Sequence, residues 1–347
     1  MDITGSGIAN NSGVVQSFNG GGQTGIFFYG TAGNLASFTA NGGLFSFNGS
    51  ASAGSASFVV NSVGIFPAQM GFLNTSTAAD ATITLSNHGQ ASFNDSTTAG
   101  NAVFTAVTGG FVLFGTNSSA DHAVATCSGA PGTVGSEIGF TQFATAAQGR
   151  FTANGATASG DAGGLINFSD STTAADAAFV INGGTVQDAA GAVMTFFESA
   201  SAGNATITVN GGSGGGEGGT IFFNRQSDGG TASLALFNNG ELDIGRHGHR
   251  LLTVGSLEGE GLVFLGARAL AVGSNNRSTA FSGIIQDGGI SHGTGGSLSK
   301  IGTGTFVASS HISVASAAIS ARAASRIVSL FFCGGRLCRL RTRFSRR

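Results

Sequence analysis

The sequence predicts an all-β chain coiled as a β-solenoid, and three observations carry that prediction. The first is composition: 60 Gly against 2 Pro, 29 Phe with one Tyr and no Trp, and 9% charged residues in 347. Glycine lacks the third-residue period of collagen, and 41% hydrophobic content exceeds what a disordered linker carries. The second is internal repetition at a spacing of 21 to 28 residues between successive clear copies. The third is two-residue alternation of apolar and polar side chains inside each copy, the period of a strand with one buried face.

The clearest copies are FNGSASAGSASFVVN (from Phe47), FLNTSTAADATITLSN (from Phe72), FNDSTTAGNAVFTA (from Phe93), FSDSTTAADAAFVINGG (from Phe168) and FFESASAGNATITVNGG (from Phe196). Their frame is an aromatic, a Ser/Thr run, A-[GAD]-x-A, an alternating strand and an Asn/Gly turn. Looser copies start near Ile26, Phe114, Phe143 and Phe223. Each unit reads as two or three short strands. Ala205, Ile207 and Val209 fall on the buried face, with Thr206, Thr208 and Asn210 opposite. Asn182-Gly183 and Asn210-Gly211 are expected to form turns with positive φ.

A unit this short cannot bury its own apolar face, so it must stack on its neighbours. In-register stacking at about 4.8 Å puts Phe47, Phe72, Phe93, Phe168 and Phe196 in one interior column. About a dozen rungs would make a rod of roughly 55 to 60 Å. Four-stranded propeller blades need longer units, and the solenoid is preferred to a sandwich on the same ground.

After Asn239 the wording changes to GELDIGRHGHRLLTVGSLEGEGLVFLGARALAVGSNNRSTAFSGIIQDGGISHGTGGSLSKIGTGTF. The phrases LTVGSLEGEGLVFLG, ALAVGSNNRSTAFSGIIQDG and GSLSKIGTGTF, in that order, resemble the autotransporter-associated β-strand repeat region of bacterial autotransporter passengers. The resemblance covers about Gly240 to Phe306. It implies a right-handed parallel β-helix exported by a C-terminal outer-membrane β-barrel of a Gram-negative bacterium, then displayed at the cell surface or secreted. Lys300, Gly302, Thr303, Gly304 and Thr305 match the family phrase, and the pattern then fails. On this reading the chain is a passenger fragment without its signal peptide or barrel. Three segments are expected: 1–239, Phe/Gly-rich solenoid repeats; 240–310, the autotransporter-associated repeat; and 311–347, a basic tail.

Charge separates that tail from the body. Residues 1–310 carry 7 Lys and Arg against 17 Asp and Glu, a net of −10; residues 311–347 carry eight Arg and no acid, a net of +8. The acidic body makes no nucleic-acid binder. The loss of glycine turns and acids just after a matched motif is expected of a shifted reading frame or non-native gene end; a short helix over Ile312 to Phe332 and an Arg-rich anion-binding extension are the alternatives. Cys127 stands alone in the body, with Cys333 and Cys338 in the tail, so the body forms no internal disulfide. No apolar run reaches the roughly 20 residues of a membrane helix.

Asp80, Asp121 and Asp176 are read at one repeat position, but Gly54, Gly100 and Gly203 stand near it elsewhere, which marks a turn and not a catalytic ladder. Glu258 and Glu260 are two residues apart with no third group. GGSGGGEGG (from Gly211) lacks the Asp of a calcium nonapeptide, and His247 with His249 lacks a third ligand, so a solvated turn is expected there. Thr82/Thr84 and Thr206/Thr208 read as ordinary outward threonines, since only these two copies are clear and they are not adjacent. The expected function is therefore structural and non-enzymatic: no catalytic, cofactor or metal residues, no cofactor, possible adhesion to a surface glycan or protein, and end-to-end self-association through open strand edges. A carbohydrate-active β-helix enzyme, lyase or hydrolase, is the alternative; a calcium-dependent solenoid is the third.

Overall fold

In the computed structural model, which describes residues 1–132, 134–309, 311–313 and 320–321, the chain is a β-solenoid of about 12 turns with parallel strand ladders. One rung illustrates the rest. Strand Leu165–Phe168 leads through a turn at Asp170 to a single bridged residue, Thr173; a second turn at Ala175 leads into strand Ala178–Ile181. A loop then returns the chain to strand Val193–Phe196, directly above the first. Each strand therefore pairs with its equivalent one turn away, as Leu165–Phe168 does with Glu137–Phe140 and Val193–Phe196.

Alternation sets which side chains fill the core. Ala205, Ile207 and Val209 are fully buried, while Thr206 and Thr208 face outward. The phenylalanine column is longer than the five predicted members: Phe28, Phe47, Phe72, Phe93, Phe114, Phe140, Phe168, Phe196 and Phe223 stack in series, 4.3 to 5.0 Å between centroids and at most 18° from coplanar. The rung spacing of a parallel ladder matches the offset-stacking distance of aromatic rings, so one column serves both. The copy expected near Phe143 is placed three residues late: Phe140 enters the column, and Phe143 is 66% exposed on the following turn.

The turn expectation at Asn182-Gly183 and Asn210-Gly211 is corrected, because neither pair takes a left-handed φ. The asparagines instead form a ladder. Asn182 Nδ2 donates to Asn154 Oδ1 at 2.9 Å, and Asn210 Nδ2 to Asn182 Oδ1 at 2.8 Å. Asn61 and Asn87 do the same with Asn41 and Asn61. Each amide satisfies the next across the rung spacing, as in stacked asparagine ladders generally.

The rung changes shape in its second segment without a break in pairing. Gly229–Leu236 pairs with Leu251–Gly259, and Thr220–Phe223 with Glu241–Asp243. Before that point the third side of each rung is one bridged residue, in the series Thr31, Ser52, Thr77, Thr98, Ser119, Thr145, Thr173, Ser201. After it, the third side is a full strand: Leu251 to Val254 pair with Ala269–Val272, which pair with Ser297–Lys300. The family-like phrase also acquires a physical reading. The Lys300 ammonium turns inward onto the Ile301 and Gly302 carbonyls, and burial holds it below the usual lysine range. Thr303 N–H is received by Asn276 Oδ1 at 2.9 Å.

Pairing also outlasts the motif. Phe306–Ala308 pairs with Thr279–Phe281, His311–Ser313 with Ile284–Gln286, and Ser320 and Ala321 with Ser299 and Lys300. Backbone ladders need no particular side chain, and alternation survives far enough to bury Phe306 and Ala308. Ile312 thus lies in a strand, and of the Ile312 to Phe332 span read as an alternative helix, all but 312–313 and 320–321 lies outside the described residues. Cys333, Cys338 and the Arg cluster of the expected basic tail lie outside the described residues.

Candidate functional surface

Two turn columns run along the rod, and the repeat's polar residues build them. From Phe47 on, the second residue after each column phenylalanine takes a left-handed φ: Gly49, Asn74, Asp95, Thr116, Gln142, Asp170, Glu198 and Arg225. Several of these side chains accept the backbone N–H of the equivalent residue one rung earlier. Asp95 accepts from Asn74 N–H at 2.8 Å, Gln142 from Thr116 N–H at 2.7 Å and Asp170 from Gln142 N–H at 2.8 Å. Sequence reasoning missed this ladder, although an Asn or Asp two residues after Phe was visible in FLN, FND and FSD.

On the next corner, the bridged Ser/Thr hydroxyl accepts the N–H two residues on. Thr77, Thr98, Ser119, Thr145, Thr173 and Ser201 all do so, at 3.0 to 3.1 Å. This explains the Ser/Thr run as turn chemistry. Thr173→Val keeps the shape and deletes the acceptor for Ala175 N–H; the expected loss is about 1 kcal/mol in urea unfolding.

The aspartates divide between two positions. Asp121 holds the left-handed site shared with Gly54, Gly100 and Gly203, whereas Asp80 and Asp176 sit one residue later, where their neighbours are Asn101 and Asn204. Asn101 Nδ2 donates to Asp80 at 2.9 Å and Asn204 Nδ2 to Asp176 at 3.0 Å. They form no single acidic ladder. Glu260 lies beyond the end of its strand and accepts the Asn238 N–H at 3.4 Å, while Glu258 stays within the strand. In the glycine loop, Ser213 donates to the Thr185 carbonyl.

His247 departs from the solvated turn that was expected. It is buried, with Nε2 2.8 Å from the Ser227 carbonyl and Nδ1 3.0 Å from the His249 carbonyl; His249 is exposed. The bridge between His247 and Arg225 seats the ring over the preceding rung. Among the described residues, no three His, Cys, Asp or Glu side chains gather as a metal cluster.

Cys127 faces the core and contacts the Leu165 carbonyl at 3.3 Å. Burial pushes its thiol up to about 12. The thiolate is the reactive form, so alkylation near neutral pH should modify Cys127 only after unfolding. Peptide mapping of native and denatured protein reads this directly; rapid native labelling would contradict the placement.

One acidic group was not anticipated. Glu241 and Asp243 alternate outward on one strand, and Glu217 precedes the strand beneath. Burial, then the Asp243 and Glu217 carboxylates, push the Glu241 carboxyl up to about 7. Asp243 is buried, and its two oxygens accept N–H groups from Gly245 and Ile290, each at 2.7 Å. A carboxylate buried and held in this way is poorly placed to reach a glycosidic bond as the base of a pair. The alternating E-L-D, a like-charge pair on one strand face, was its visible signal.

A regular surface runs along the outward face of the second strand column. Thr39, Val59, Thr84, Thr105, Thr126, Thr152, Val180 and Thr208 stack in register along it. The adjoining positions are Ser57, Thr82, Val103, Val124, Arg150, Ala178 and Thr206. Thus the Thr82/Thr84 copy is no isolated case: threonine occupies four successive rungs from Thr84 to Thr152. Among the described residues these hydroxyls take no partner within the chain, leaving a flat face with Arg150 as its one charge. No protein-family model, curated protein or solved structure matches the chain.

Proposed function

We propose that the chain is a rigid display stalk: a β-solenoid segment of an autotransporter passenger, carried to the surface of a Gram-negative cell or released, and presenting its flat Thr/Val face for contact. The observation that supports this reading best is the continuity of the stack. Phenylalanine rings succeed one another from Phe28 to Phe223, and backbone pairing continues into the segment whose wording resembles the passenger repeat. Such a core resists shear along its length, and its turns leave the outward columns free for adhesion to a glycan or protein. Open strand edges favour end-to-end association. The carbohydrate-active alternative is not favoured, because the carboxyl raised toward neutrality, Glu241, has as its neighbour a buried carboxylate held by two backbone N–H groups.

Antibody against residues 1–306, applied to intact producing cells, should label them before permeabilisation. Labelling that requires permeabilisation, with no chain in the medium, would overturn the reading. The coding strand after the Phe306 codon, read in three frames, should resume the repeat and reach a barrel in one of them.

A further inference from the structure

We propose that Gly288–Gly296 is a strap held shut by the Asp243 carboxylate and loosened when Glu241 becomes charged. The segment leaves strand Ile284–Gln286, forms a single turn over Gly289–Ser291 and closes on itself where Gly288 bridges Gly293. Asp287 fastens its two ends, accepting Gly295 N–H and Gly296 N–H at 2.8 Å each. It crosses the outward face of strands Glu241–Asp243 and Leu262–Phe264. A Cβ at Gly289 would strike Asp243 and Phe264, and one at Gly266 would meet Ser291 Oγ at 2.7 Å. The tie reaches two rungs down, past Leu262–Phe264: Ile290 N–H donates to Asp243 Oδ2.

That tie depends on a buried negative charge. Glu241 stands two residues away on the same outward face, half-buried, with Glu217 beneath it. The flanking strands Thr220–Phe223 and Leu262–Phe264 carry no charged side chain to compensate. Glu260, before the second of these, is engaged by Asn238 N–H; Arg246 is exposed, Arg268 is half-buried beyond the strand, and the strap's own His292 is exposed. A protonated Glu241 leaves Asp243 as the nearer charge, favourably placed between two N–H donors. An ionised Glu241 adds a second negative charge on the same half-buried face, and that repulsion works against holding the Asp243 carboxylate on the Ile290 N–H.

The sign of the effect follows from the raised carboxyl. The folded chain keeps the Glu241 proton that the unfolded chain has already lost, so the stabilisation is complete at acid pH and is withdrawn as pH rises from 4.5 to about 7. Loosening the strap uncovers the Asp243 and Phe264 positions of a face that earlier rungs leave open.

Hydrogen exchange of the full chain tests this through the peptide spanning 288–296, corrected for intrinsic rates. Between about pH 5.5 and about pH 8.5 its protection should fall roughly five- to tenfold in the wild type. In Glu241→Gln that fall should vanish, and in Asp243→Asn protection should already be low at the acid end. A peptide around Phe168 should show no change, which separates strap release from global unfolding. An equal pH dependence in wild type and Glu241→Gln, or none in the wild type, would overturn the proposal.

Discussion

Phe140→Ala is expected to destabilise the rod by about 3 to 5 kcal/mol, the range for deleting a fully buried phenylalanine. The ring has stacked neighbours on both sides, Phe114 at 5.0 Å and Phe168 at 4.4 Å, and Phe151 edge-on at 5.6 Å. In a stack where each rung touches only the next, the rungs on either side cannot close a gap that backbone pairing holds open. The variant should lower the urea midpoint and split one transition into two as the stack uncouples at the vacancy. Phe143→Ala, three residues away and exposed, is the internal control; its change should stay within about 0.5 kcal/mol. Equal effects would place the wrong phenylalanine in the core.

The second large effect is expected at Gly191. Gly135, Gly163, Gly191 and Gly218 lie one per rung, and a Cβ on each would overlap the next carbonyl in line: Gly163, Gly191, Gly218 and Asn239 in turn. The loop backbones approach too closely for any side chain. Gly191→Ala should therefore cost about 3 kcal/mol through forced separation of two rungs, with no loss of buried apolar surface to explain it. Ala158→Ser, at an exposed position of the neighbouring loop, should be silent. Thermal unfolding of the two variants together distinguishes the glycine contact from general loop sensitivity.

The parts of this fold legible in the sequence are those that repeat with identity. A phenylalanine in the same frame announces a column, and the alternation of Ala205 to Asn210 announces which side is buried. What stayed hidden depends on register between rungs, which loops of variable length set without a local signal. The stacking of Asn154, Asn182 and Asn210 makes their amides a ladder, so the glycines after them answer to close approach and not to turn dihedral. His247 looked solvated because its polar partners are carbonyls, Ser227 twenty residues back and His249 two residues on, that no side-chain motif records. The Asp243 tie links residues 47 apart through a backbone amide, and Ile290 gives no hint of it in its identity. Phe143 misled for the opposite reason: it was the right residue type at nearly the right spacing.

The change from a single bridged residue to a full strand on the third side gives the rod two different cross-sections. Up to Ser201 the third side is short, a single bridged residue per rung, so the profile is narrow; beyond Leu251 all three sides are strands. A beam resists bending most where material lies far from its axis in every direction, and a narrow profile yields across its thin dimension. Sideways load should therefore curve the amino-terminal rungs while the later rungs stay straight, the change falling between the Gly229–Leu236 and Leu251–Gly259 strands. A tether anchored at one end would then be compliant over one part of its length and stiff over the other.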